Sequence, residues 1–168
     1  TLNVHRASAF GVTETSTLHR VTAAWGEGTS FAFGGSGAEA TPDDCTWHDS
    51  FYPGTQWTTP GGDFVATASA SQSVPPILVP VTWGSNAGLI ADVQQWVQHP
   101  ETNFGWIILG NETQTQTART FASRESLDPS IRPSLVVEYL VGPPPCAPDW
   151  NHDGSLNSQD LFDFLTAF

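Results

Sequence analysis

The sequence predicts an all-β domain with one short helix, followed by a separate loop and helix at the C-terminal end. Three observations carry that expectation. Gly, Pro, Asn and Asp interrupt the chain about every ten residues, as turns do between short strands. The runs between them are rich in Thr, Val and aromatic residues and alternate in polarity. The tract Gly142 to Pro148 holds four prolines, and beyond it the pattern changes to an acidic loop and an apolar helix. A chain of 168 residues is long enough for one domain and such an appendage.

Leu2 to Ala7 and Thr17 to Thr22 read as strands that pair as a hairpin through a turn at Gly11 to Thr15. His5 and His19 are then cross-strand packing positions, with a transition-metal pair as the lesser alternative. Asp63 to Ser73 alternates Phe64, Ala66, Ala68 and Ala70 with polar positions, the period of a half-buried strand. Val79 to Trp83 is a further strand, placed at an edge by Pro80. Asn86 or Ser85 caps a helix from Ala87 to Gln98, with Leu89, Val93, Trp96 and Val97 on one face and Pro100 just beyond. Trp106 to Leu109, Thr120 to Ser123 and Ser134 to Val141 complete the strands. The stretch from Gly26 to Gly62 shows no clear period and reads as a long functional or elaborately packed loop.

Composition removes several function classes. Seven Trp, ten Phe and an apolar fraction of 39% require a core. The formal charge is −12, and all five basic residues are Arg. That balance repels phosphate backbones and anionic headgroups, so no nucleic acid and no membrane insertion are expected. It favours divalent cations. Without Lys there is no Schiff-base or phosphate-loop lysine. Without Met, Thr1 is not an initiator product, and the chain follows either a removed targeting segment or the start of a longer protein. No esterase-type serine elbow, zinc-protease motif or Gly-rich phosphate loop occurs, and a non-catalytic protein is expected. Arg124 and Glu125 read as a structural ion pair, and Asn111-Glu112-Thr113 is a glycosylation sequon.

The acidic, Thr/Ser/Gly-rich composition suits a secreted or cell-surface protein, in which Cys45 and Cys146 would form a disulfide. Closing a loop of about 100 residues is worth roughly 4.7 kcal/mol in the chain-entropy description. Two unrelated buried thiols remain the alternative.

The strongest chemical pattern is Asp149-Trp150-Asn151-His152-Asp153-Gly154-Ser155-Leu156-Asn157-Ser158-Gln159-Asp160. Oxygen donors fall at loop positions 1, 3, 5, 9 and 12, and glycine at 6, where a loop turns sharply around a hard cation. Asp149, Asn151 and Asp153 would ligate Ca²⁺ through side chains, Ser155 through its carbonyl, Asn157 through water and Asp160 as the closing carboxylate. Mg²⁺ is disfavoured because it demands a tighter octahedron. Glu27, Asp43, Asp44 and Asp49 mark a second place where a cation could sit. Trp47, Tyr52 and Trp57 are candidates for a glycan-stacking platform, with core packing as the alternative.

With its helix of Leu161, Phe162, Phe164, Leu165 and Phe168, the segment 149–168 resembles a dockerin repeat. The resemblance implies calcium-dependent docking between proteins, on a cohesin-like or other scaffold partner. Dockerins pair two such repeats, and one is present here. His19 to Gly28, Phe51 to Gly54, Trp57 to Phe64, Asn103 to Trp106 and Ser123 to Glu125 resemble the DNRLRE-type secreted domains. That resemblance implies a jelly-roll-type β-sandwich over residues 1–141, and some such relatives bind carbohydrate. The family has further strands ahead of its first hairpin, and this chain starts after them. The expectation is therefore a β-sandwich (1–141), a Pro-rich linker (142–148) and a dockerin-like calcium segment (149–168). Its function would be calcium-dependent assembly into a homo-oligomer or polymer, by strand donation into filaments or matrix. A carbohydrate-binding module held by its tail to a polysaccharide-degrading system is the alternative.

Overall fold

Short antiparallel strands account for most of the regular structure in the computed structural model, which describes residues 1–5, 11–31, 37–111, 113–115, 117–140 and 149–166. These residues divide into two units, Thr1–Val136 and Val137–Phe168. In the first unit β1 (Leu2–His5), β2 (Glu14–Arg20), β3 (Asp49–Phe51), β4 (Thr55–Gln56), β5 (Ala70–Val74) and β6 (Pro80–Trp83) precede the helix α1 (Ala87–Gln98), and β7 (Trp106–Leu109) and β8 (Ser134–Leu135) follow it.

Two three-stranded sheets carry the core, in the orders β6-β1-β8 and β5-β2-β7. The expected hairpin of the first two strands does not form: β1 pairs with β6 and β8, whereas β2 pairs with β5 and β7. The segment read as a turn is partly strand, because Glu14 and Thr15 already pair with Val74 and Ser73. The two similar strands are thus central strands of different sheets, and His5 and His19 do not face each other across a hairpin. The His19 ring instead bonds Val65 O at 2.8 Å and Thr17 Oγ1 at 3.0 Å, edge-on to Phe64.

Val4, Val81 and Trp83 from one sheet meet Leu18, Ala70 and Val74 from the other, and Leu89 of α1 closes the cluster. Burying side chains of this size contributes about 1.5–3 kcal/mol each. Helix α1 has the expected limits, and the Asn86 side chain caps it by accepting from the N–H groups of Gly88 and Leu89 at 2.8 and 3.1 Å. Asp92, on α1, binds both neighbouring strands. It accepts from Trp106 Nε1 at 2.6 Å and pairs with Arg20 Nε at 3.2 Å.

Three expected strands are shorter than their sequence patterns. Between Asp63 and Ser73 the chain forms an isolated Phe64–Val21 bridge just past β2 and bonds Arg20 O through the Val65 N–H, then exposes residues 66–68 before β5 begins at Ala70. Thr120 to Ser123 forms no ladder among the described residues, although Phe121 packs against the core. Of Ser134 to Leu140 only Ser134 and Leu135 belong to a strand, paired with Asn3 and Leu2. Val141 and the expected linker 142–148 lie outside the described residues. Within Gly26 to Gly62 the order is local: β3 and β4 form a small hairpin whose turn includes a cis Tyr52–Pro53 bond.

Candidate calcium loop

In the second unit, the described chain from Asp149 leads into helix α2 (Ser158–Thr166) through a succession of carboxylate and amide turns. Asp149 Oδ1 accepts from the Asp153 N–H at 3.1 Å and Oδ2 from the Gly154 N–H at 2.8 Å. Asn151 Oδ1 also accepts from the Asp153 N–H, at 3.1 Å, and Asp153 Oδ1 accepts from Ser155 N–H at 2.8 Å. Each short polar side chain thus folds the backbone two to five residues ahead, which is why Asp and Asn recur at alternate positions. Gly154 makes the sharp bend with φ of 82°, a conformation that favours glycine, and His152 sits nearby at φ of 59°.

Asp160 closes the loop. Its Oδ1 accepts from Trp150 N–H at 3.0 Å and its Oδ2 from Asn157 N–H at 2.9 Å, with the residue 3% exposed. Those donors, the Asn157 N–H foremost, hold the Asp160 carboxyl below the usual carboxylate range despite its burial. Asn157 in turn accepts from the Gln159 N–H at 2.7 Å, so Asn157 and Asp160 cap the helix reciprocally. The resulting start of α2 is locally encoded: each group that position 9 or 12 could offer a cation also satisfies an orphan helix N–H.

Whether this set fits a cation follows from its chemistry. The groups are all oxygen donors of the kind Ca²⁺ prefers. Asp149 and Asp160 are both buried, at 9% and 3% exposure, and their carboxylate oxygens face loop N–H groups. Asp160 is engaged by the N–H groups of Asn157, Asn151 and Trp150 and by the Asp149 side chain. Among the described residues no three His, Cys, Asp or Glu side chains are gathered as a metal cluster. The loop's carboxylates, amide and backbone carbonyl are oxygen donors of the kind Ca²⁺ takes, and a cation would have to draw Asp149, Asp153 and Asp160 together.

Two helix residues that sequence spacing left aside join this loop. Asp163 accepts from Asn151 Nδ2 at 3.1 Å and from Gln159 Nε2 at 2.9 Å, tying loop position 3 to the helix. The Gln159–Asp163 spacing of i, i+4 was the available signal. Trp150 meets Phe164 edge-on at a centroid separation of 5.1 Å. The remaining apolar residues of α2 are exposed, Leu161 and Phe162 at 57% and Leu165 at 59%.

In the first unit the aromatic candidates separate. Trp47 is 59% and Tyr52 37% exposed, whereas Trp57 is buried and donates its indole N–H to Thr46 O at 3.0 Å. Cys45 is exposed and burial of part of its thiol raises its pKa; its expected partner Cys146 lies outside the described residues. Three of the four acids considered for a second cation have protein partners: Asp44 collects three backbone N–H groups, Glu27 pairs with Arg124 at 2.9 Å and Asp49 accepts from Thr46 Oγ1 at 3.2 Å. Arg124 also bonds Glu125 at 2.8 Å, an exposed network of small energetic weight. Comparison with protein-family models, with curated proteins and with solved structures returned no match.

Proposed function

We propose that this chain is a non-catalytic extracellular assembly module in which a calcium-bound loop presents a helix for association with further copies. The observation that carries the reading is the union of two features in one short segment. A loop of oxygen donors with buried Asp149 and Asp160 runs directly into α2, whose Leu161, Phe162 and Leu165 side chains are exposed. A helix of nine residues is marginal in water by itself. Ligating Asp149, Asn151, Asp153, the Ser155 carbonyl and Asp160 fixes the helix start, and the exposed apolar face then has a defined shape to offer.

The mechanism is linkage. A cation that binds only the ordered loop stabilises it by RT ln(1 + [L]/Kd), and whatever docks on the ordered helix inherits that concentration dependence. Loops of this kind in extracellular modules bind at about 10⁻⁴–10⁻³ M, a range in which external calcium is permissive. On this reading the first unit is a jelly-roll-type sandwich of the DNRLRE kind, the tail is dockerin-like, and the Pro-rich run 142–148 spaces them. The acidic, Lys-free composition suits that setting. The docked partner is a second copy, with a cohesin-like scaffold as the other outcome of the test.

Light scattering of the whole chain tests this, first in excess EDTA and then in millimolar calcium. Mass is expected to grow with calcium in the wild type and to stay constant in Asp149→Ala/Asp153→Ala. Assembly that is unchanged in the double variant, or a monomer at every calcium concentration, contradicts self-association through this segment.

A further inference from the structure

Strand β8 is an edge: it pairs with β1 alone, Leu135 opposite Leu2 and Ser134 opposite Asn3. The pairing runs one residue further, since Val136 O accepts from Thr1 N at 3.0 Å and Val136 N–H donates to Thr1 O at 2.9 Å. Val136 therefore turns both backbone groups toward β1. Successive residues of an antiparallel strand turn theirs to opposite sides, so those of Leu135 and Val137 face the open side, and those of Tyr139 join them as the strand continues. Among the described residues nothing bonds the backbone of residues 137–140.

The side chains of this segment are as bare as its backbone. Leu135, Val136, Val137, Tyr139 and Leu140 are 45%, 51%, 48%, 78% and 99% exposed, an apolar run with one charge, Glu138. β-Branched and aromatic residues suit a strand, and an exposed apolar edge is a template for pairing with another chain. The other edges of the two sheets differ. The exposed residues of β5 are Ser71 and Ser73, those of β6 are Pro80 and Thr82, and β7 is half-buried throughout. Of the edges of these two sheets, apolar exposure is thus confined to β8 and the chain that continues it.

We propose that residues 134–140 pair with the same segment of a second copy, antiparallel and two-fold symmetric about Val137. The open backbone groups fix that register: Val137 meets the second copy's Val137, and Leu135 its Tyr139, each pair exchanging N–H···O bonds. Leu135, Val137 and Tyr139 of both copies then share one face and cover one another. Glu138 comes opposite Val136, which keeps the two like charges from facing each other directly. Charge also selects the occupant. Copies with 17 acidic and five basic residues repel where acids meet, and a segment with a single acid avoids that repulsion while offering a basic partner little to hold. One segment supplies both halves of such an isologous contact, which joins two three-stranded sheets into a continuous one. The contact stands apart from the calcium-dependent association through α2 and needs no cation.

The test is sedimentation velocity of the whole chain in excess EDTA, at concentrations rising to about 0.1 mM. A monomer–dimer equilibrium is expected, unchanged in Asp149→Ala/Asp153→Ala. Val137→Lys should weaken dimerisation about tenfold or more, because two like charges then meet at the centre of the pair, although the substitution lowers the net charge of each copy. Val137→Pro should act similarly by removing an N–H on the open side without touching a bond to β1, and it covers the case in which Val137→Lys fails to fold. Wild-type chain that stays monomeric throughout, dimerisation lost in the calcium-loop variant, or a dimer indifferent to both Val137 substitutions overturns the proposal. A tail without calcium affinity would leave the expected dimer intact.

Discussion

The stretch from Gly26 to Asp44 and the loop from Asp149 to Asp160 both fold around buried aspartates, and they differ in how many side chains share that work. Asp44 Oδ1 accepts from the N–H groups of Thr29 and Ser30 at 3.0 and 3.3 Å, and Oδ2 from that of Thr41 at 2.6 Å. These bonds, that from Thr41 foremost, lower its carboxyl to about 2. One carboxylate thus binds a loop to itself, chiefly through backbone donors, with the Ser30 and Thr41 side chains adding to them. In the tail the same kind of bond is divided among Asp149, Asn151, Asp153 and Asp160. The first loop is gathered by a single carboxylate. The second spreads its oxygen donors over several positions, the kind of set a hard cation uses.

The largest effect that would sharpen this contrast comes from glycine. Gly28 and Gly154 both have positive φ, 61° and 82°, so an alanine at either costs about 1–2 kcal/mol of backbone strain. A Cβ at Gly28 would also fall 1.7 Å from Asp44 Oδ1, whereas nothing lies within 4 Å of one at Gly154. Thermal unfolding followed by near-ultraviolet dichroism should show Gly28→Ala as clearly the more destabilising. Equal costs would mean that the Asp44 hub does not hold the loop.

Acid separates the loops next. The Asp44 carboxyl is about 2 when folded and near 3.8 ordinarily. Its contribution is therefore complete above pH 4 and is lost as pH falls through about 2. Asp44→Asn should be less stable than wild type at neutral pH and show a shallower loss between pH 4 and 2. A wild-type acid profile identical to that of the variant would remove Asp44 from the account.

A smaller change is expected from Asn157→Ala, which deletes the α2 cap at a cost of about 1 kcal/mol. Far-ultraviolet dichroism should register lower helicity without calcium and partial recovery with it. Smallest is Asp163→Ala, which releases the i, i+4 partner Gln159 as well as the Asn151 amide. A few tenths of a kcal/mol in helix stability is expected, read as a slight rise in the calcium concentration needed to restore helicity.

The same contrast explains what could be read without coordinates. The tail's recurring Asp and Asn positions are legible as a polar loop because Asp149, Asn151 and Asp153 fold backbone only two to five residues ahead. Helix α1 was legible to the residue because its cap, Asn86, and its stop at Pro100 are local signals. The Asp44 hub was not, since its donors lie up to 15 positions upstream in a stretch without periodicity. Strand pairing was misjudged for β1 and β2 for a related reason: adjacency in sequence favours a hairpin, but both strands were better satisfied as central members of two sheets, where each gains two neighbours. Alternation in Asp63 to Ser73 likewise indicated a face to bury without showing that the chain leaves β2 at residues 66–68. Trp47 and Trp57 look alike in sequence. Their separation into an exposed and a buried ring depends on Gly61 and Thr46, which approach them only in the folded loop.

The central claim, that the Asp149–Asp160 loop holds calcium, is most directly tested by isothermal titration of the whole chain with calcium, beside Asp149→Ala/Asp153→Ala. The account predicts saturable binding of one ion in the wild type, at micromolar to millimolar strength as in sensor and extracellular loops, and none in the double variant. A wild-type chain that takes up no calcium, or a double variant that binds it equally well, would contradict the account.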